Sequence, residues 1–230
     1  MVIYMKKYYK FELNVTALSA LSLILLIVFV GADFMIRNNY DSFISGFGMR
    51  WFLLAYLVYI VLHEVCHGIG FTLFVKNKKN VKYGAALEKG VLYAMCQERI
   101  SKTGIIISLL FPIIFLTIIT FIIAILCNFY LLELLSLVNL ASAVGDLALL
   151  GLIIKLPKDI QYIDYDNVIG AYLISENDLS KYKSLMVKYV ECGEDKEELE
   201  NKDIKFITIS KESWIYLIVL LVIGIISAFI

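Results

Sequence analysis

The chain has 230 residues, 60% of them hydrophobic and only 18% charged, with a mean hydropathy of +0.81. That composition excludes a disordered chain and an ordinary soluble fold. Its 21 basic and 21 acidic side chains cancel to a formal net charge of zero, which excludes a nucleic-acid-binding charge balance, and two prolines exclude a Pro-rich linker protein. What remains is an all-α polytopic membrane protein, with the lipid bilayer as its surroundings.

In chain order, residues 1–12 are read as a short basic N-terminus carrying Lys6, Lys7 and Lys10. Five stretches then approach the roughly 20 apolar residues that a membrane crossing needs: 13–36, 51–75, 103–127, 129–154 and, shortest, 214–230. The first resembles a retained signal anchor, although Val30-Gly31-Ala32 near its end could pass for a cleavage site. Only Asn128 separates the third and fourth stretches, which therefore must form a tight helical hairpin. Lys plus Arg number 3 before the first span, then 2, 7, 0 and 9 in the successive connections. Because Lys and Arg are retained inside, this alternation predicts an integral cell-membrane protein with a cytoplasmic N-terminus. The membrane core is accordingly read as 13–154.

Two stretches outside the membrane carry their own patterns. Over 81–95 the apolar side chains alternate around Glu88-Lys89-Gly90, and that period of two predicts a small cytosolic β-hairpin. Residues 155–213 hold 9 basic and 13 acidic side chains, with a strand-like 168–174, a helix-like 176–190 and an acidic run over 191–203. They read as a small cytosolic α/β appendage. The four cysteines form no CxxC pair, so they are scattered free thiols, with Cys96 and Cys192 on the cytosolic side.

The chemistry concentrates in the second span. The only two histidines form His63-Glu64-Val65-Cys66-His67, an HExxH sequence. On a helix, a spacing of four places both imidazoles on one face, where they can share one metal ion. Glu64 beside them can take a proton from a water activated by that metal. The plain alternative is a set of satisfied interior polar groups, but an ionisable triplet inside a membrane helix is costly and argues for a site. Haem is excluded as the partner, since two histidines one turn apart cannot occupy opposite axial positions of one iron.

A catalytic zinc usually takes three protein ligands and keeps one open position. The HExxHxxGxxH pattern fails, because its third ligand would fall at Leu73, although Gly70 matches its glycine. Glu88 has a workable spacing but sits at the hairpin turn. Asp146 is the better third ligand, because a carboxylate within an apolar span needs a partner. Counted at 1.5 Å per residue, His63, His67 and Asp146 lie about 18, 24 and 25 Å from the outer ends of their spans. Ala141, Gly145 and Ala148 opposite Gly68 and Gly70 would let the two helices approach. Asn139 is a candidate to bind a substrate backbone or to support a metal ligand. Glu133 is expected to reach the interface, Cys66 to serve packing, and Pro112 to kink the third span.

HExxH in one span, a hairpin with Tyr83-Gly84, a Pro-containing aliphatic span, and Asn139, Ser142 and Gly145-Asp146 in the next form a combination that resembles a bacterial membrane family of zincin peptidases. It resembles the site-2 proteases more distantly, and the likeness spans roughly 50–175. It implies Zn²⁺ held by His63, His67 and Asp146, Glu64 as base, and a membrane protein or peptide as substrate. The site-2 protease pattern has prolines between Asn and Asp and a Gly after the Asp, whereas here Gly145 precedes Asp146 and Leu147 follows. The expected activity is that of a zinc metalloendopeptidase acting within the membrane. The competing class is a non-enzymatic membrane module whose metal site is structural or vestigial and which binds or escorts a partner.

Overall fold

The computed structural model describes residues 7–37, 46–86, 91–164, 170–179, 181–182 and 187–191. Strand β1 (Lys7–Leu13) leads into helix α1 (Val15–Arg37), and α2 (Gly46–Thr72) follows. Strands β2 (Val81–Ala86) and β3 (Val91–Cys96) pair antiparallel, with Val81 opposite Cys96. The alternation over 81–95 is thus a hairpin, and its turn, with Glu88, lies outside the described residues.

Next come β4 (Ile100–Ser101), α3 (Lys102–Pro112), a π-helix (Ile113–Ile119) and α4 (Thr120–Leu126). These three helical segments form one apolar path long enough to cross a membrane. The hydroxyl of Ser101 caps its start by accepting from the Gly104 amide. Asn128, with a φ of 51°, then reverses the chain in the left-handed region that Asn tolerates, which makes the expected tight turn. After it, α5 (Tyr130–Ser142) and α6 (Val144–Lys155) precede β5 (Gln161–Asp164), β6 (Gly170–Ser175) and β7 (Val187–Glu191).

Among the described residues, three helices are long and apolar enough to span a membrane, with the α5–α6 pair a fourth if counted as one. The expected fifth span, 214–230, lies outside the described residues. The fourth span departs from its expected form: 129–154 is two helices bent by 49° at Ala143. The break falls between Ser142 and Gly145, residue types that recur at helix kinks without proline.

A second correction concerns the soluble face. Residues 7–13, read as a bare N-terminus, form a strand inside a five-stranded sheet ordered β4-β5-β6-β1-β7. Part of the stretch read as helix-like, 176–190, is strand β7, and among the described residues of 155–213 no helix follows Lys155. Both segments pair with partners far away in sequence, Lys7 with Ser175 and Tyr9 with Glu191, so the sheet they join cannot be read from local sequence. The fold is therefore mostly helical with a small antiparallel sheet, rather than helical with an α/β appendage.

That sheet bears on topology. Its strands come from before α1, from between α2 and α3, and from after α6, so these three stretches share one side of any membrane the helices cross. The chain must cross an even number of times between them. If the helices cross a membrane, the bent pair α5–α6 then counts as one crossing that returns the chain to the side of the sheet.

Sheet and helices also share one core. Phe71, Ile105, Leu109 and Ile153 from the helix ends pack with Tyr9, Ile100, Tyr162 and Leu173 from the strands. At about 1.5–3 kcal/mol for each large side chain fully buried, this outweighs what a few surface contacts would supply, so the sheet is seated on the helices rather than hung from them. The Lys102 ammonium adds a link by donating to the carbonyls of Ile154 and Leu156 at the end of α6. Within the same core, burial pushes the Cys96 thiol up to about 12, which keeps it an unreactive packing group.

Glu98 clips the connection after α2 to the hairpin. Its carboxylate accepts from the amides of Lys76 (2.9 Å) and Asn77 (3.2 Å) and from Asn80 Nδ2 (3.0 Å). The backbone N–H of Lys76 leads the groups that hold its pKa below the usual carboxylate value. A lowered folded pKa contributes stability above the unfolded pKa and loses it as pH falls through the folded one. Hydrogen-exchange protection at the Lys76 and Asn77 amides is accordingly expected to fall on acidification below about pH 4.5. A Glu98→Gln variant should show no such step.

Candidate metal centre

The motif helix α2 brings His63 and His67 onto one face, one turn apart, with ring centroids 4.9 Å from each other. The break at Ala143 brings the third group. It starts a new helix, α6, and places Asp146 in its first turn, where the unpaired amides of a helix N-terminus favour a carboxylate. Asp146 Oδ2 lies 3.1 Å from His63 Nε2, and Oδ1 lies 3.3 Å from His67 Nε2. The two Nε2 atoms are 3.2 Å apart. One ligand atom from each residue lies within 4.8 Å of the others, the only such group of three among the described residues.

The far side of each ring decides what this cluster can bind. His63 Nδ1 is 2.9 Å from Asn139 Oδ1, and His67 Nδ1 is 3.0 Å from the Ser108 carbonyl. Both partners are acceptors, so both Nδ1 atoms carry the proton, and in the neutral imidazole each Nε2 presents a lone pair. Two such lone pairs and a carboxylate facing one another form a donor set suited to a cation. The spacing fits zinc, whose tetrahedral ligands at about 2.0–2.1 Å stand roughly 3.3 Å from each other.

Asn139 therefore orients one imidazole of the cluster. Its Nδ2 donates to Thr117 Oγ1 at 2.9 Å, and Thr117 belongs to the π-helix. A π-turn inside an apolar helix frequently marks a functional site, and here it supplies the hydroxyl that orients the amide. Asn139→Ala is expected to lower zinc affinity by roughly 10–100-fold while leaving the centre able to load at high metal. A zinc titration against a competing chelator measures this.

Glycines work differently from their expected role. A side chain at Gly70 would meet the Ser108 backbone at 2.7 Å, and one at Gly68 would meet the Tyr83 hydroxyl. They thus seat α3 and the hairpin on α2, and nothing lies within 4 Å of a side chain built at Gly145. The close crossing at Gly70 is what lets the Ser108 carbonyl reach His67. Glu133, expected at the interface, is buried at 2% exposure. Cys66 packs beside Tyr59, Leu116 and Leu135, as a packing residue does.

Glu64 is outside the three-residue cluster and lines a cavity of about 230 Å³, which His63, Asn139 and Ser142 also line. The backbone N–H of Ala94 on β3 donates to its carboxylate, so the hairpin holds the group beside the cluster. Reading the sequence alone misses Ser108, Thr117 and Ala94. Two act through the backbone, which no residue type announces, and Thr117 gains its place from the π-helix.

No curated protein and no solved structure matches the chain. The segment from Tyr56 to Gln161, which holds every group of this centre, matches the family model described as "Putative zincin peptidase" (residues 56–161), and zinc is the metal that such a family implies for the cluster of His63, His67 and Asp146.

Proposed function

We propose that the protein is a zinc-dependent intramembrane metallopeptidase, with His63, His67 and Asp146 as metal ligands and Glu64 as general base. The convergence of two imidazoles and a carboxylate from two apolar, membrane-length helical segments carries this reading. Zinc held by His63, His67 and Asp146 would supply Lewis-acid polarisation of the scissile carbonyl and a lowered pKa for the attacking water. Glu64 takes a proton from the attacking water and returns it to the leaving nitrogen, so the C–N bond breaks to a carboxylate and an amine. Asn139 and the Ser108 carbonyl hold both imidazoles in the tautomer that keeps Nε2 available.

The substrates on this reading are membrane-embedded segments, because the cluster comes from the apolar helices α2 and α6, and the cavity beside it is lined mainly by α2 and α5, with Leu92 of β3. The test is to incubate zinc-loaded protein in micelles with synthetic apolar-helix peptides and sequence the fragments by mass spectrometry. Cleavage within the apolar stretch, abolished by a chelator and restored by zinc, is the expected result. Chelator-resistant cleavage, or none with any peptide, counts against it.

The charge alternation supports a cytoplasmic side for the sheet and the N-terminus. A single cysteine placed at Lys78 should resist an impermeant thiol reagent in intact cells and label after lysis. Labelling from outside reverses the orientation.

A further inference from the structure

The cavity beside the cluster has a shape and lining that the hydrolytic chemistry alone does not require. Tyr56, Tyr59, Ile60, His63 and Glu64 occupy one stripe of α2 at helical spacings of three and four. The stripe is polar at the His63–Glu64 end and aromatic or aliphatic over the preceding two turns, roughly 10 Å of helix. Leu92 of β3 closes one side, and Asn139 and Ser142 of α5 close the other. Tyr59 is fixed, since its hydroxyl donates to the Leu116 carbonyl at 2.9 Å and lies 2.7 Å from Thr120 Oγ1. Its ring is a rigid wall, not a mobile side chain filling the space.

We propose that this cavity is the subsite for a bulky apolar side chain next to the scissile bond, with Tyr56, Ile60 and Leu92 as its specificity-determining residues. The proposal rests on the metallopeptidase reading and deepens it by naming the substrate class. Volume supports a large occupant: benzene fills an apolar protein cavity of about 150 Å³, so 230 Å³ holds a phenyl or branched aliphatic group with space left for the adjoining peptide. A methyl group would leave most of the wall without contact partners. A charged side chain reaching past Glu64 would be desolvated against Tyr56, Ile60 and Leu92, none of which carries a charge. Position supports it too, because Glu64 and His63 at the polar end set where the reacting carbonyl must lie.

Peptidyl hydroxamates carrying benzyl, isobutyl or methyl side chains, with acetohydroxamate as the probe without a side chain, test this on the zinc-loaded full chain in micelles. Calorimetry gives each affinity and metal analysis confirms one zinc per chain in every variant. The benzyl probe is expected to bind about tenfold or more tightly than the methyl probe. Filling the cavity from either wall, by Ile60→Trp on α2 or independently by Leu92→Trp on β3, should bring that ratio close to one. Partition of each probe into the micelle is the same for all proteins, so the change in ratio reports the cavity. A ratio that stays unchanged in the zinc-loaded variants overturns the subsite and leaves the metallopeptidase reading intact. Zinc-loaded wild type that binds no hydroxamate, acetohydroxamate included, has a closed coordination sphere and overturns both.

Discussion

Asp146→Ala is expected to take the protein from one zinc per chain to nearly none after purification in detergent, as measured by elemental analysis. Asp146 is the single carboxylate among the three clustered groups, and its two oxygens stand 3.1 and 3.3 Å from the two Nε2 atoms. Without it, two neutral imidazoles remain to hold a divalent cation in an apolar surrounding, where an uncompensated charge is costly. The loss should exceed the roughly 10–100-fold that follows from removing a supporting group such as Asn139. Glu88→Ala, by contrast, should leave the metal content unchanged. If Glu88→Ala strips the zinc and Asp146→Ala does not, the centre lies at the membrane surface and the intramembrane reading falls.

Glu64→Gln should behave in the opposite way, retaining zinc and losing cleavage. Glu64 is absent from the ligand cluster and lines the cavity where a substrate would lie, held by the Ala94 amide. Gln keeps the size and the hydrogen-bonding oxygen but cannot accept the proton, so the rate should fall by about 10²–10⁴. Peptide cleavage in micelles and the accumulation of an uncleaved membrane protein in cells both read this out. A variant that loses its zinc makes Glu64 a ligand. A variant that keeps both zinc and full cleavage removes it as the base.

The convergence was legible in the sequence to an unusual depth because its signals are local or costly. His63 and His67 share a face through helix periodicity alone, and Asp146 betrays itself as a carboxylate in an apolar span. The hairpin over 81–95 announces itself by alternation. What stayed hidden depends on distant partners or on backbone. Strand β1 carries the alternation Tyr9, Phe11, Leu13, but it stands so close to an apolar span that its lysines read as a membrane flank. The break at Ala143 has no proline to mark it, whereas Pro112, expected to kink its span, directly precedes the π-helix that carries Thr117. Glu133 shows the limit of depth counting, since its position near a span end suggests exposure and packing buries it.

The place of β1 between β6 and β7 has a consequence for how the protein is made. Tyr9 is synthesised well before its hydroxyl partner, the Asn177 carbonyl, which lies 168 residues later. At about 5–20 residues per second, β1 waits roughly 10–30 s with both edges open, while the intervening helices enter the bilayer. During that interval Tyr8 and Tyr9, which end at 2% and 1% exposure, have no sheet to cover them. Every ligand of the metal centre has been made before the strand closes, so the sheet acts as a completion latch. Where the helices cross a membrane, the sheet can close only on a chain whose crossings have brought these strands to one side, and a chain with one crossing missing leaves β1 as an unpaired, aromatic edge.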